Sequence, residues 1–258
     1  ISLKCPFHED NHASLSINVK KGKWICFAGC GTGNLNQFLS LYLNQEINIF
    51  DDNIELEDKS EEFEIMQKVN CPFALGKYPD WILQRGFTDS DAKRWEFGLN
   101  HYTGSLVIPV RDVVGGLVGW VCRQSQGREP RYIYSTGLKT SKILFGQYNI
   151  SSESKTICVT EGPLDTIWLD KCNFPSIALF GTHLSKVQEQ LLAKMNKSEI
   201  ILCLDNDDAG RKAIAQILPR LEKYSMVSYI RLPKGYKDVQ DVRNFSQLKS
   251  IIHKRVYL

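Results

Sequence analysis

EIILCLDNDDAGRKAIAQILPRL, residues 199–221, decides the fold. Its first part is a short apolar run that stops at acids, and the part after Asp-Ala-Gly spaces its apolar residues for a helix. The same rhythm extends upstream. KTICVTEG (155–162) is an apolar run ending in Glu-Gly, and PLDTIWLDKC (163–172) is helical, with Pro163 at a tolerated first-turn position. SIALFG (176–181) reads as a strand and HLSKVQEQLLAKM (183–195) as a helix; downstream, MVSYIRLP (226–233) reads as a strand. Strands alternating with helices over 151–258 predict an α/β unit, Rossmann-like, with a mostly parallel sheet and helices on both faces.

In open parallel sheets, ligands bind beyond the carboxyl ends of the strands. Glu161 ends one such run; Asp205 and Asp207 end another. Residues i and i+2 on a strand share a face, so Asp205 and Asp207 are expected to present two carboxylates to one point. If the two strands are neighbours, Glu161 joins them. Crowded carboxylates repel unless cations sit among them, and Mg²⁺ or Mn²⁺ with substrate phosphates meets that need. Two such ions suit phosphoryl transfer. Asp238, after the last strand, is expected to complete the site. Asp165 and Asp208 sit in first helical turns, where the dipole favours acids.

Residues 1–44 form a first unit, with strands at LSINV (15–19) and KWICF (23–27) and a helix at NLNQFLSLYL (34–43). It is small for a hydrophobic core and needs a staple. Cys5 and His8, then Cys26 and Cys30, have the spacing C-x2-H and C-x3-C across a two-stranded ribbon, which predicts a closed, structural Zn²⁺ site. His12 is a spare imidazole able to replace His8. Lys20, Lys21 and Lys23 decorate the ribbon, and Trp24 either stacks on a base or packs beneath it. Residues 45–70 read as an acidic linker; within 46–64 lie nine acids and one Lys. Residues 71–150 form a third segment: helices at YPDWILQRGF and TDSDAKRWEF, the second capped by Thr88 with Asp91, then strands SLVIPVRD (105–112) and GLVGWVCR (116–123) joined by Gly-Gly.

The 258 residues carry 43% hydrophobic and 24% charged residues, ordinary globular composition, so wholesale disorder is excluded. Net charge is +3, but without 46–64 the remainder holds 31 basic and 20 acidic residues, +11, which suits a polyanion. The eight cysteines do not form a disulfide framework and fit a reduced, intracellular chain. No run of eighteen apolar residues spans a membrane. Residue 1 is Ile and no basic-then-apolar leader follows, so the reading expects a fragment without a secretory signal.

CPFHEDNHASLSI…KWICFAGCGTGN resembles the zinc-binding domain of DnaG-type DNA primases. LVIPVRDVVGGLVGWVCR, PRYIYSTGLKTSKILFG, VTEGPLD, LFGT and LDNDDAGRKA resemble the RNA-polymerase core of that family, including its TOPRIM fold. The resemblance covers the chain outside about 45–75. It implies RNA primer synthesis on single-stranded DNA from ribonucleoside triphosphates, with the ribbon reading the template. Glu161, Asp205 and Asp207 match the catalytic acids. Lys142 matches a basic residue near the active centre, Arg131 stands where Lys is common, and Arg111 and Arg123 match further basic positions. Departures are the C-x3-C knuckle where C-x2-C is usual, Asn206 in place of Gly, and Pro163 in place of an aromatic. The unusual linker and short core suggest a phage or mobile-element protein acting in the bacterial cytoplasm. No Walker motif is present, so a helicase partner is expected on another chain or in a missing C-terminal region. A TOPRIM nuclease, a topoisomerase and a non-catalytic zinc-ribbon adaptor are the rival readings.

Overall fold

The computed structural model describes residues 2–10, 13–18, 23–43, 68–125 and 127–257. His12, Lys20, Lys21 and the acidic stretch 46–64 lie outside the described residues, as does the side chain of Lys23. The chain divides into two compact units, Ile1–Glu62 and Phe63–Leu258.

In the first unit, β1 (Ser2–Leu3), β2 (Leu15–Asn18), β3 (Lys23–Cys26) and β4 (Gly31–Asn34) form an antiparallel sheet in that order, followed by α1 (Leu35–Leu43). β2, β3 and α1 lie where the apolar pattern put them. β4 was not expected, because GTGN has no alternating apolar residues; its ladder to β3 forms it. Gly31 has φ +147°, and a Cβ there would come within 3.1 Å of the Trp24 ring. Among the described residues of this unit, Leu15, Trp24, Cys5 and Cys26 form the buried cluster, with Phe7 and Phe38 against them.

The second unit begins with β5 (Ala74–Leu75), α2 (Trp81–Gln84), α3 (Asp89–Arg94), β6 (Gly98–Asn100), β7 (Ser105–Arg111), β8 (Leu117–Arg123) and β9 (Tyr132–Tyr134). These five strands form an antiparallel meander. Pro109 is tolerated in β7 because β6 pairs only as far as Val107, so no ladder bond is lost on that side. Thr88 and Asp91 make the expected capping box on α3.

Then follow β10 (Thr156–Thr160), α4 (Pro163–Lys171), β11 (Ser176–Ala178), α5 (Lys186–Lys194), β12 (Glu199–Leu202), α6 (Asp208–Leu221), β13 (Met226–Tyr229), α7 (Phe245–His253) and β14 (Val256–Tyr257). The strand order is β11-β10-β12-β13-β14, parallel except for β14. The mostly parallel α/β sheet expected for 151–258 is therefore present. Its apolar runs are buried on both faces, as parallel strands require. Ile157, Val159, Ile200 and Leu202 face one core with α6 residues Ala213, Ile217 and Leu221. Cys158, Ile201 and Cys203 face the other, shared with α4, α7 and the meander residues Leu106, Ile108 and Val121. Segments 71–150 and 151–258 thus share one core. Phe145 and Ala178 exchange backbone hydrogen bonds (3.0 and 3.1 Å) between them. All eight cysteines are free. No helix among the described residues is long and apolar enough to cross a membrane.

Candidate active site and metal centre

From β10 the chain moves to β11 on one side of the sheet, and from β12 to β13 on the other. The topological switch therefore falls between β10 and β12, where a crevice opens beyond the carboxyl ends. Glu161 follows β10 and Asp205 follows β12, and the Asp205 N–H donates to Glu161 Oε1 at 3.0 Å. Both line one cleft of about 220 Å³ with Asp165, Asp238, Arg85, Arg123, Arg131 and Gln240.

Asp207 does something different from what strand alternation predicts. β12 ends at Leu202, so Asp205 and Asp207 stand on a loop and not on a strand. Asp207 caps α6, its Oδ1 accepting the Gly210 N–H at 2.9 Å. It is exposed and outside the lining of the cleft, yet its charge still raises the pKa of Glu161 and Asp205. Asp238 caps a 3-10 turn by accepting the Asp241 N–H at 3.0 Å.

The carboxylates are crowded. Burial, then the charge of Asp205, pushes Glu161 up to about 7. Burial and Asp238 push Asp205 up to about 6, against the opposing pull of Lys237, whose Nζ lies 3.7 Å from Oδ2. Asp238 is raised chiefly by burial, then by Asp241. Asp165 is raised well above the ordinary range by burial, Asp238 and Asp205. Such a set is relieved by a hard cation with oxygen preference, which fits Mg²⁺.

The cationic wall has a buried member. Arg123 is 8% exposed, its Nη1 donates to the Arg131 carbonyl at 3.1 Å, and it lies over the Tyr132 ring at 5.0 Å. Its Nε has no hydrogen-bond partner, and burial lowers its pKa. Arg131 is exposed at the rim. Arg111 and Lys142 are not in this cleft. Arg111 is held by Glu96 in a two-pronged pair (2.6 and 2.7 Å) beside a separate pocket. Lys142 ends the 3-10 turn Thr140–Lys142.

Asp165 and Arg85 were missed by sequence reasoning. Pro163 at the first helical position makes Asp165 the third, and helical side chains tilt back toward the N-terminus, so this acid faces the strand end it follows. The sequence carries that signal, but the helix dipole alone already accounts for an acid at this position. Arg85 gave no local signal: it donates to Gln240, 155 residues away.

In the first unit, the ligand atoms of Cys5, His8, Cys26 and Cys30 all lie within 4.8 Å of one another, the one such cluster among the described residues. Three thiols and an imidazole at that spacing fit tetrahedral Zn²⁺. Burial and the neighbouring Cys26 and Cys5 push Cys30 up to about 11, whereas Cys26 falls to about 6 because hydrogen bonds from Cys30, Ser14 and Ala28 outweigh its burial. Asp10 organises the shell: its Oδ2 accepts from Cys5 N–H (2.7 Å) and Ser14 Oγ (2.6 Å), and its Oδ1 lies 3.7 Å from His8 Nε2. The sequence reading did not single it out. Trp24 is 2% exposed and packs edge-on against Phe38 at 5.2 Å, so packing is the role the structure gives it.

Known protein families resemble both parts of the chain. The CHC2 zinc finger family matches residues 2–70 and the Toprim-like family residues 158–243. A DNA primase of Legionella pneumophila is 26% identical, over 93% of this chain and 53% of its own length. A DNA primase of Aquifex aeolicus is 27% identical, over 94% of this chain and 61% of its own. The chain thus spans little more than half the length of these relatives. The zinc-binding and RNA-polymerase domains of the Aquifex aeolicus primase share its fold, with a TM-score of 0.60 at 20% identity, covering 100% of this chain and 79% of that one. A DnaG primase catalytic domain bound to single-stranded DNA gives 0.60 at 18% identity, covering 69% and 71%.

Proposed function

The chain has the domain make-up of a DnaG-type primase, a CHC2 zinc ribbon ahead of a Toprim core, and from that premise we propose that it synthesises short RNA primers on single-stranded DNA from ribonucleoside triphosphates. One observation carries the reading. Carboxylates at the ends of two neighbouring parallel strands share a cleft with a buried, unpaired guanidinium edge. Acids alone suit many metal sites; acids facing Arg123 and Arg131 suit a metal-bound polyphosphate.

Mg²⁺, when bound, supplies charge neutralisation for the attacking 3′-hydroxyl and the departing pyrophosphate. Glu161, Asp205 and Asp238, with Asp165 below them, are the proposed ligands, and Asp207 serves from the helix cap. Arg123 offers an N–H that has no protein acceptor, so a phosphate oxygen satisfies it without breaking an existing bond. Arg131 adds charge at the rim, and Arg85 sets the cationic side of the cleft through Gln240. Arg111 and Lys142 are assigned to template or nucleotide contacts outside the cleft, on the strength of the family resemblance. Cys5, His8, Cys26 and Cys30 hold the ribbon together, with Lys21 and Lys23 as template contacts. A helicase partner is proposed on another chain or in further sequence. On this reading the protein works in the cytoplasm of a bacterial cell.

The test is incubation with defined single-stranded templates, Mg²⁺ and labelled ribonucleotides. New RNA supports the proposal; shortened DNA without RNA supports a nuclease instead. The pair Asp205→Ala with Asp207→Ala is expected to abolish synthesis, and wild-type rates in that variant would remove the site assignment.

A further inference from the structure

The loop after β11 carries an anomaly that the acids and arginines do not explain. Phe180 has φ +63°, the left-handed region that a bulky aromatic side chain rarely enters. The cause lies in the ladder. The Leu179 N–H donates to the Thr160 carbonyl (3.1 Å) and the Gly181 N–H to the Glu161 carbonyl (2.9 Å). A regular parallel ladder advances two residues on both strands. Here one strand advances two while the other advances one, so Phe180 is the surplus residue of a bulge. Bulges beside sites re-aim a side chain. This one turns Phe180 into the cleft that Glu161 and Asp205 line.

There the ring meets Tyr134 edge-on at 5.9 Å and Phe145 edge-on at 6.0 Å. Phe145 is buried and packs against the ring; Tyr134, 39% exposed, leaves the pair open to solvent. The cleft therefore has three kinds of wall: carboxylates, guanidiniums and a half-open aromatic pair. The first two suit the metal and phosphates of a nucleotide. The third has no charged role. A strained backbone kept next to a site, where glycine fits without strain, points to the ring itself.

We propose that Phe180, backed by Phe145 and flanked by Tyr134, is the platform on which the nucleobase of the bound ribonucleotide packs. The inference rests on the reading of the cleft as a nucleotide site. Every base has a π-face, so the platform holds all four without selecting among them, and selection is left to the template.

The test compares Phe180→Leu with Phe180→Tyr in the full chain. Both keep a non-glycine residue at positive φ and apolar bulk against Phe145; they differ in the flat ring. Equilibrium dialysis with radiolabelled ATP, GTP, CTP and UTP in Mg²⁺ measures binding, and ribonucleotide incorporation gives KM and kcat. The expected result is a rise in Kd and KM of about 10-fold for all four nucleotides in Phe180→Leu, with kcat and melting temperature retained and Phe180→Tyr close to wild type. Unchanged nucleotide affinity in Phe180→Leu, or a loss of melting temperature alone, overturns the platform. Dialysis needs no catalysis. If the wild type binds nucleotides but makes no RNA, primer synthesis falls as a reading, and the affinities still decide the role of Phe180.

Discussion

A Cβ on Gly210 would run into the Asp205 carbonyl oxygen. The first turn of α6 rests directly on the backbone that carries the acid, and backbone does not yield as the end of a flexible side chain does. Gly210→Ala is therefore expected to displace the Asp205 loop, lowering stability by about 2–3 kcal/mol and ribonucleotide incorporation more than tenfold; urea unfolding and primer assays check both. A residue-level prediction for pH concerns Glu161, which burial and Asp205 raise from 4.5 to about 7. A raised carboxyl pKa means that the folded state holds a proton the unfolded chain has released. Its contribution is complete below the unfolded value and is lost as pH rises through the folded one. Without divalent ions, the melting temperature is expected to fall between about pH 5 and about pH 7.5, and Glu161→Gln is expected to flatten that fall; a parallel slope in the variant would refute the crowding. Glu161 and Asp205 were legible because each ends an apolar run. Arg85 was not, since its place in the cleft is set by a residue 155 positions away and no local spacing encodes that.

At the scale of elements, β14 shows how a short strand is tied in. It pairs antiparallel with β13, and Arg255 just before it grips the buried Glu199 of β12 through Nε (2.5 Å) and Nη2 (2.8 Å). Ser228 Oγ (2.8 Å) and Tyr257 OH (3.0 Å) donate to the same carboxylate. Burial alone would raise the Glu199 pKa; the hydrogen bonds from Arg255, Ser228 and Tyr257 outweigh it and bring the value below the ordinary one. Arg255→Ala is expected to lower unfolding free energy by about 2–3 kcal/mol near neutral pH, by leaving a buried carboxylate short of its cation. The sign is opposite to that of Glu161: the contribution exists above the unfolded pKa and disappears as pH falls through the lowered folded value. The deficit of the variant, followed by urea titration, should shrink below about pH 4. Elements with a local signal were readable, such as α3 with its Thr88–Asp91 box and the apolar cores of β10 and β12. β4 and β14 were not, because each is created by its partner strand. The expectation that Asp205 and Asp207 share a strand face failed for a related reason. The ladder stops at Leu202, and helix capping takes over the geometry of Asp207.

For the whole molecule, the division into two units has a thermodynamic consequence. Among the described residues, the buried set of the first unit comprises Cys5, Leu15, Trp24 and Cys26, and two of these four belong to the Cys/His cluster. Removing the metal leaves a small apolar nucleus with three crowded thiols, too little to offset the chain entropy of folding. The second unit holds two large cores and no member of the Cys/His cluster. Chelation, or Cys26→Ser with Cys30→Ser, is therefore expected to unfold the first unit and spare the second. The checks are atomic spectroscopy for zinc, and hydrogen exchange, with protection lost over β2 and β3 and kept over β10 and β12. Carboxylate chemistry belongs to the second unit, so nucleotide binding in Mg²⁺ should survive the double substitution while template-dependent synthesis falls. Loss of protection in both units together would show that the ribbon supports the core. Retained zinc in the double variant would reject the ligand set.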